Sequence, residues 1–150
     1  MLQKIIVPVD GSDNSIRALE YAVELGRKFD STITVVNVTI PYDIAKLPPR
    51  IPRNEIEAVK IKEAETEAKR KTALAIAERR VEELGGYGKI KFMPLIGIDP
   101  AERVVELSET QDADTIVVGN RGLGTFFAFI LGSVSSKLIQ LSKVPVILVK

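Results

Sequence analysis

The chain has 150 residues, 45% hydrophobic and 27% charged, a size and usage that fit one globular core and not a disordered segment. Its 21 Lys and Arg stand against 20 Asp and Glu, so the overall charge makes no case for nucleic acid or an anionic membrane as partner. Cysteine and histidine are both absent, which excludes a disulfide framework, His/Cys zinc sites and imidazole proton transfer.

Lys4 to Val9 is a short β-branched run of the kind buried on both faces of a parallel sheet, and it predicts the first strand. Asp10-Gly11-Ser12 then breaks the strand and opens a helix to about Phe29, with Ile16, Leu19, Ala22, Val23 and Leu25 at helical spacing. Thr32 to Thr39 reads as a second strand. The next segment holds Pro41, Pro48, Pro49 and Pro52 and predicts no regular element, being either a lid over a ligand or a plain connection.

From Glu55 to about Leu84 the sequence predicts a long charged helix, with Ile56, Val59, Ala64, Ala68 and Ala75 as its buried stripe and Glu65/Lys69 and Glu67/Lys71 as ion pairs. Gly85-Gly86 ends it. A third strand spans Lys89 to Ile96, and a helix follows from Pro100 with Asp99 as N-cap and Val104, Val105 and Leu107 facing inward. Thr115 to Val118 is a fourth strand, Gly132 to Leu141 a last helix, and Val144 to Lys150 a closing strand.

Strict strand–helix alternation requires right-handed crossovers and a parallel sheet covered on both faces. The expected architecture is a doubly wound, five-stranded α/β sandwich of flavodoxin-like order 3-2-1-4-5, in one domain. Ligands of such sheets lie beyond the C-terminal strand ends, where strand order reverses. That places Asp10 and Gly119 at the expected crevice.

Gly119-Asn-Arg121-Gly122-Leu-Gly124-Thr125 leaves the fourth strand, and Gly132-Ser133-Val134-Ser135 opens the last helix. Glycine lets the backbone approach an anion, and a helix start supplies N–H donors and a favourable dipole. Ser133 and Ser135 offer hydroxyl donors as well. Neither a Walker G-x4-G-K-[S/T] loop nor a G-x-G-x2-G turn after the first strand is present.

The spacing G-x2-G-x9-G-S, from Gly119 through Gly122 to Gly132-Ser133, together with the opening Lys4 to Ser12 and the close Leu131 to Val149, resembles the ATP-binding members of the universal stress protein family over nearly the whole chain. The resemblance implies ATP as ligand, with Mg or Mn bridging its phosphates and no obvious protein ligand to the metal. It implies that Pro8, Val9 and Asp10 border the nucleoside, that Asp10 bonds the adenosine moiety, and that Val38 touches adenine. Val118, Gly119, Arg121, Gly122, Gly124, Thr125, Gly132, Ser133, Val134 and Ser135 are then the ribose and phosphate residues.

The resemblance further implies a homodimer joined through the last strand, Val144 to Val149, acting as a nucleotide-dependent sensor or regulator in stress response. With no signal-like apolar core in Met1 to Asp10 and no apolar stretch of about 18 residues the sequence reads as cytoplasmic, and with no clear catalytic base it reads as a non-enzyme. A nucleotide-free dimeric interaction protein and a slow ATP hydrolase are the alternatives. Read alone, Asp10 equally suits a helix start, and Arg121 suits either phosphate or solvent. One departure stands out in the spacer, where Phe126, Phe127 and Phe129 replace the polar residues common in the family and suggest an oligomer contact or a docking patch.

Overall fold

The computed structural model describes residues 2–40, 53–120 and 131–150. The elements follow in the order β1 (Lys4–Pro8), α1 (Asp13–Phe29), β2 (Thr32–Thr39), α2 (Arg53–Glu83), β3 (Ile90–Ile96), α3 (Pro100–Thr110), β4 (Thr115–Gly119), α4 (Ser133–Leu141) and β5 (Val146–Val149). All four strand pairings are parallel and the order is β3-β2-β1-β4-β5, as the alternation predicts. The first strand reverses direction of growth here: β2 lies on one side of it and β4 on the other.

The central strands β1, β2 and β4 are buried on both faces because a helix pair covers each face, while the edge strands β3 and β5 are only partly covered. Ile5, Val7, Ile33, Val35 and Val117 pack against α1 and α2, while Ile6, Val36, Leu95, Ile116 and Val118 pack against α3 and α4. This is the period-2 division of a β-branched run between two apolar layers. Of the predicted α1 positions, Leu19, Ala22 and Val23 are fully buried and Ile16 and Leu25 partly so.

The helix ends match their local chemistry. Ser12 caps α1 by accepting from the Ser15 N–H, and Asp99 caps α3 by accepting from the Ala101 and Glu102 N–H groups at 3.0 and 3.1 Å. Gly85 and Gly86 close α2 with φ of 89° and 73°, and the Gly86 N–H donates to the Val81 carbonyl at 2.8 Å.

The buried stripe of α2 differs from the one expected. Val59 is buried, but Ile56, Ala64, Ala68 and Ala75 are exposed; Ala77 and Val81, with Leu74 and Leu84 beside them, join the core under α1, and Ala73 is buried next to Gly11. Alanines recur on every side of this helix, so apolar spacing does not fix its phase; contact with β2 does. The Glu67/Lys71 pair forms, at 3.8 Å.

At the opposite end of the sheet Asp114 fastens the start of β1. Its carboxylate accepts from the Gln3 and Lys4 N–H groups at 2.7 and 2.8 Å, which, led by Lys4, hold its pKa below the usual aspartate value. Stability from a depressed carboxylate is present above the unfolded pKa of about 3.9 and is lost as the pH falls from there through the folded value. Asp114→Asn should therefore lower Tm by about 3 °C at neutral pH and flatten the acid limb of a Tm-against-pH curve.

The two sheet edges differ in chemistry. Edge strand β3 carries Pro94 opposite Asn37 and the exposed Lys91 beside Thr34, whereas edge strand β5 is the apolar run Val-Ile-Leu-Val.

Candidate functional site

The crevice at the C-terminal strand ends is built from the exits of β1, β2 and β4 and the start of α4. Val9 continues β1 past its last ladder residue: its N–H donates to the Val36 carbonyl at 2.8 Å, and its own carbonyl accepts from Asn37 Nδ2 at 2.7 Å. Asn37 thus ties the end of β2 to the end of β1, a role the sequence reading missed. Its signal was a polar residue inside the run Val-Val-Asn-Val, which costs burial free energy unless it bonds something.

Asp10 shapes the turn that follows. Its Oδ1 accepts from the Ser12 N–H at 2.9 Å and from the Ser12 hydroxyl at 2.5 Å, while its N–H donates to Ser15 Oγ at 3.3 Å. Gly11 stands at φ 85°, left-handed backbone that a side chain would strain. Pro8 is half-buried just before this turn.

Gly119 is needed for close packing. A Cβ placed on it would lie 2.6 Å from the Asn14 carbonyl oxygen and 2.7 Å from its carbon, so the first turn of α1 rests directly on the exit of β4. The next residue, Asn120, closes the neck of the glycine segment. Its N–H donates to the Val149 carbonyl, and its carbonyl accepts from the Gly132 N–H, both at 2.8 Å. The residues at the two ends of G-x2-G-x9-G-S are thereby brought together.

Ser135 is buried, and its hydroxyl faces the carbonyls of Asn120 and Gly132 at 3.1 and 3.0 Å. It bonds the neck, and Ser133 is exposed. Val38, Val118 and Val134 gather in one apolar cluster beneath this point. Arg121, Gly122, Gly124, Thr125, Phe126, Phe127 and Phe129 lie outside the described residues, as does the proline-containing segment 41–52.

The start of α4 contrasts with those of α1 and α3. Ser12 and Asp99 cap those helices with side-chain oxygens, whereas α4 begins after Gly132, which has no side chain to occupy its first N–H groups. No described side chain therefore caps the partial positive charge of this helix N-terminus.

Charge nearby is already balanced. Lys137 of α4 donates to Asp99 and, at 3.1 Å, to Glu102. Asp99 is held below the usual carboxylate range by Lys137 first and the Glu102 N–H second, and Lys137 is raised chiefly by Asp99. Among the described residues no group of three His, Cys, Asp or Glu is placed to hold a metal ion, and no helix is long and apolar enough to cross a membrane.

Comparison with known proteins adds to this geometry. Universal stress protein MJ0531 of Methanocaldococcus jannaschii is 32% identical over 150 residues, covering all of this chain and 83% of that protein. A universal stress protein solved in complex with cAMP superposes with a TM-score of 0.68 at 28% identity, covering 99% of this chain and 97% of the other. The universal stress protein from Archaeoglobus fulgidus in complex with dAMP gives a TM-score of 0.64 at 25% identity with complete coverage of both chains. The model of the universal stress protein family matches residues 1–150, and the chain belongs to that family.

Proposed function

We propose that this protein binds ATP in the crevice between the β1 and β4 exits and acts as a nucleotide-dependent regulatory module in stress response. The observation that carries the reading is the start of α4, which follows an N-cap glycine with no side-chain cap among the described residues and adjoins the neck joining Asn120 to Gly132. Such a helix start suits a phosphate, and relatives of the same fold hold the adenine nucleotides cAMP and dAMP.

In this reading Pro8, Val9, Asp10 and Val38 border the nucleoside. Val118, Gly119, Gly132, Ser133, Val134 and Ser135, with Arg121, Gly122, Gly124 and Thr125, serve the ribose and phosphates. In this reading the backbone N–H groups of Ser133 and Val134 donate to the phosphates, and Ser135, whose hydroxyl is bonded to the Asn120 and Gly132 carbonyls, contributes by holding the neck. A divalent Mg or Mn ion would travel with the phosphates and neutralise part of their charge, since the crevice residues among those described offer no cluster to hold it.

The edge strand β5 supplies the partner surface. It is an apolar run of half-buried residues, Val-Ile-Leu-Val, and Ile139 and Leu141 of the preceding helix α4 are exposed. Pairing of two β5 strands across a two-fold axis would cover both.

Titration of nucleotide-stripped protein with ATP and magnesium should give saturable binding with one site per chain, and light scattering should give twice the chain mass of 16.5 kDa. Failure of the stripped protein to bind, at a mass that still fits a dimer, would favour a nucleotide-free interaction protein.

A further inference from the structure

The long helix α2 reaches well past the sheet it covers. Its 31 residues span about 46 Å at 1.5 Å per residue, whereas the eight residues of β2 span about 26 Å. As the crossover between parallel strands it runs against them, so its N-terminal part projects beyond their C-terminal ends. That is the side on which the crevice opens.

The point where α2 passes the crevice is fixed by Gly11. A Cβ built on Gly11 would lie 3.5 Å from the Ala73 Cα and 3.6 Å from its Cβ, so the helix runs directly against the turn that follows Asp10. Arg70 is three residues earlier on the same face, about 4.5 Å farther along the axis and therefore above the strand ends. Its side chain is 20% exposed, more buried than a solvent-facing arginine, and it donates to Glu67 of its own helix.

That pair is easily exchanged. Glu67 is 41% exposed and also has Lys71 Nζ at 3.8 Å, so it keeps a cation if Arg70 leaves. Ion pairs within one helix and partly in water are weak. A phosphate, by contrast, accepts two parallel N–H bonds from a guanidinium.

A polyanion in the crevice would gain from such a group in addition to Arg121 of the glycine segment. Among the described residues, Pro8 to Asp10, Gly119–Asn120 and Leu131 to Ser135 include no cationic side chain and include the acidic Asp10, while Lys137 is engaged by Asp99 and Glu102. Backbone N–H groups bond phosphate oxygens but carry no full charge to balance them.

We infer that Arg70 is a further nucleotide-binding residue, delivered over the crevice by the overhang of α2, which leaves Glu67 to Lys71 and pairs with the phosphate chain of the bound nucleotide. This rests on the nucleotide reading of the same site and adds to it a moving cation from a helix outside the glycine segment. Glu67 then acts as a competitor for the arginine, and its removal strengthens binding.

Calorimetric titration of wild type, Arg70→Ala, Arg70→Lys and Glu67→Gln with ATP–magnesium and with adenosine tests the assignment, each variant being checked by circular dichroism. Arg70→Ala should weaken ATP about tenfold and leave adenosine unchanged, Arg70→Lys should lose less, and Glu67→Gln should tighten ATP about twofold. Equal ATP affinity in wild type and Arg70→Ala, or equal losses for ATP and adenosine, overturns the role of Arg70 while the nucleotide reading stands. Wild-type protein that binds neither compound overturns both.

Discussion

Gly119→Ala is expected to destabilise the fold by about 3 kcal/mol, near the upper end of ordinary overpacking. The reason is the identity of the atoms met: a Cβ would stand 2.6 Å from the Asn14 carbonyl oxygen, 2.7 Å from its carbon and 3.1 Å from the Ser15 nitrogen. These are backbone atoms in the first turn of α1, held there by the Ser12 cap, so relief requires the whole helix start to lift from β4. Thermal unfolding followed by circular dichroism should show a Tm lower by about 10 °C for a chain of this size. A fall of less than 2 °C would show that α1 yields freely. Gly86→Ala is a control of different kind, since nothing stands within 4 Å of its Cβ position and only its φ of 73° opposes the change.

Tyr87→Phe should cost about 1.5 kcal/mol. The phenol lies between the C-terminal end of α1 and the start of β2, donating to the Gly26 carbonyl at 2.9 Å and facing the Ser31 carbonyl as well. Burial, with Asp30 adding to it, raises the phenol pKa above its ordinary value. The neutral form is the one the fold prefers, so this contribution is complete below the unfolded phenol pKa of about 10 and is lost as the pH rises from there through the folded value. Chemical denaturation at pH 7 and at pH 11 tests both parts. The wild type should lose more stability between the two than Tyr87→Phe does, and identical losses would remove Tyr87 from the account.

The fold was largely legible in the sequence, because its elements carry strong local signals. Two-sided burial of Ile5 to Val7 and Ile33 to Val36 follows from unbroken β-branched runs, and the Asp99-Pro100 start of α3 follows from capping chemistry. What was not legible required knowing which element lies against which. The phase of α2 is set by β2 and α1, and its alanines fit either side. Gly119 read as a residue sparing room for an anion, and its tightest neighbour is Asn14, more than a hundred positions earlier in the chain.

The site was legible in outline and less so in its division of labour. The residues bracketing the glycine spacing do meet, through Asn120 and Gly132, as a strand-to-helix connection of that kind requires. The spacing alone did not tell the exposed Ser133 from the buried Ser135, whose hydroxyl is turned to the carbonyls of the neck. Nor did it mark Asn37, because a side-chain bond from one strand end to the next depends on register.

The unlike edges of the sheet bear on how copies of the chain can add to one another. Unlimited stacking by strands requires a receptive edge on each side of every copy. Pro94 withholds a backbone donor in the middle of β3, and Lys91 sets a charge beside it. Among the described residues the β5 side alone carries no such guard, so a contact that begins there would use up that side of both molecules. Growth by strand addition through that edge would therefore stop at two copies.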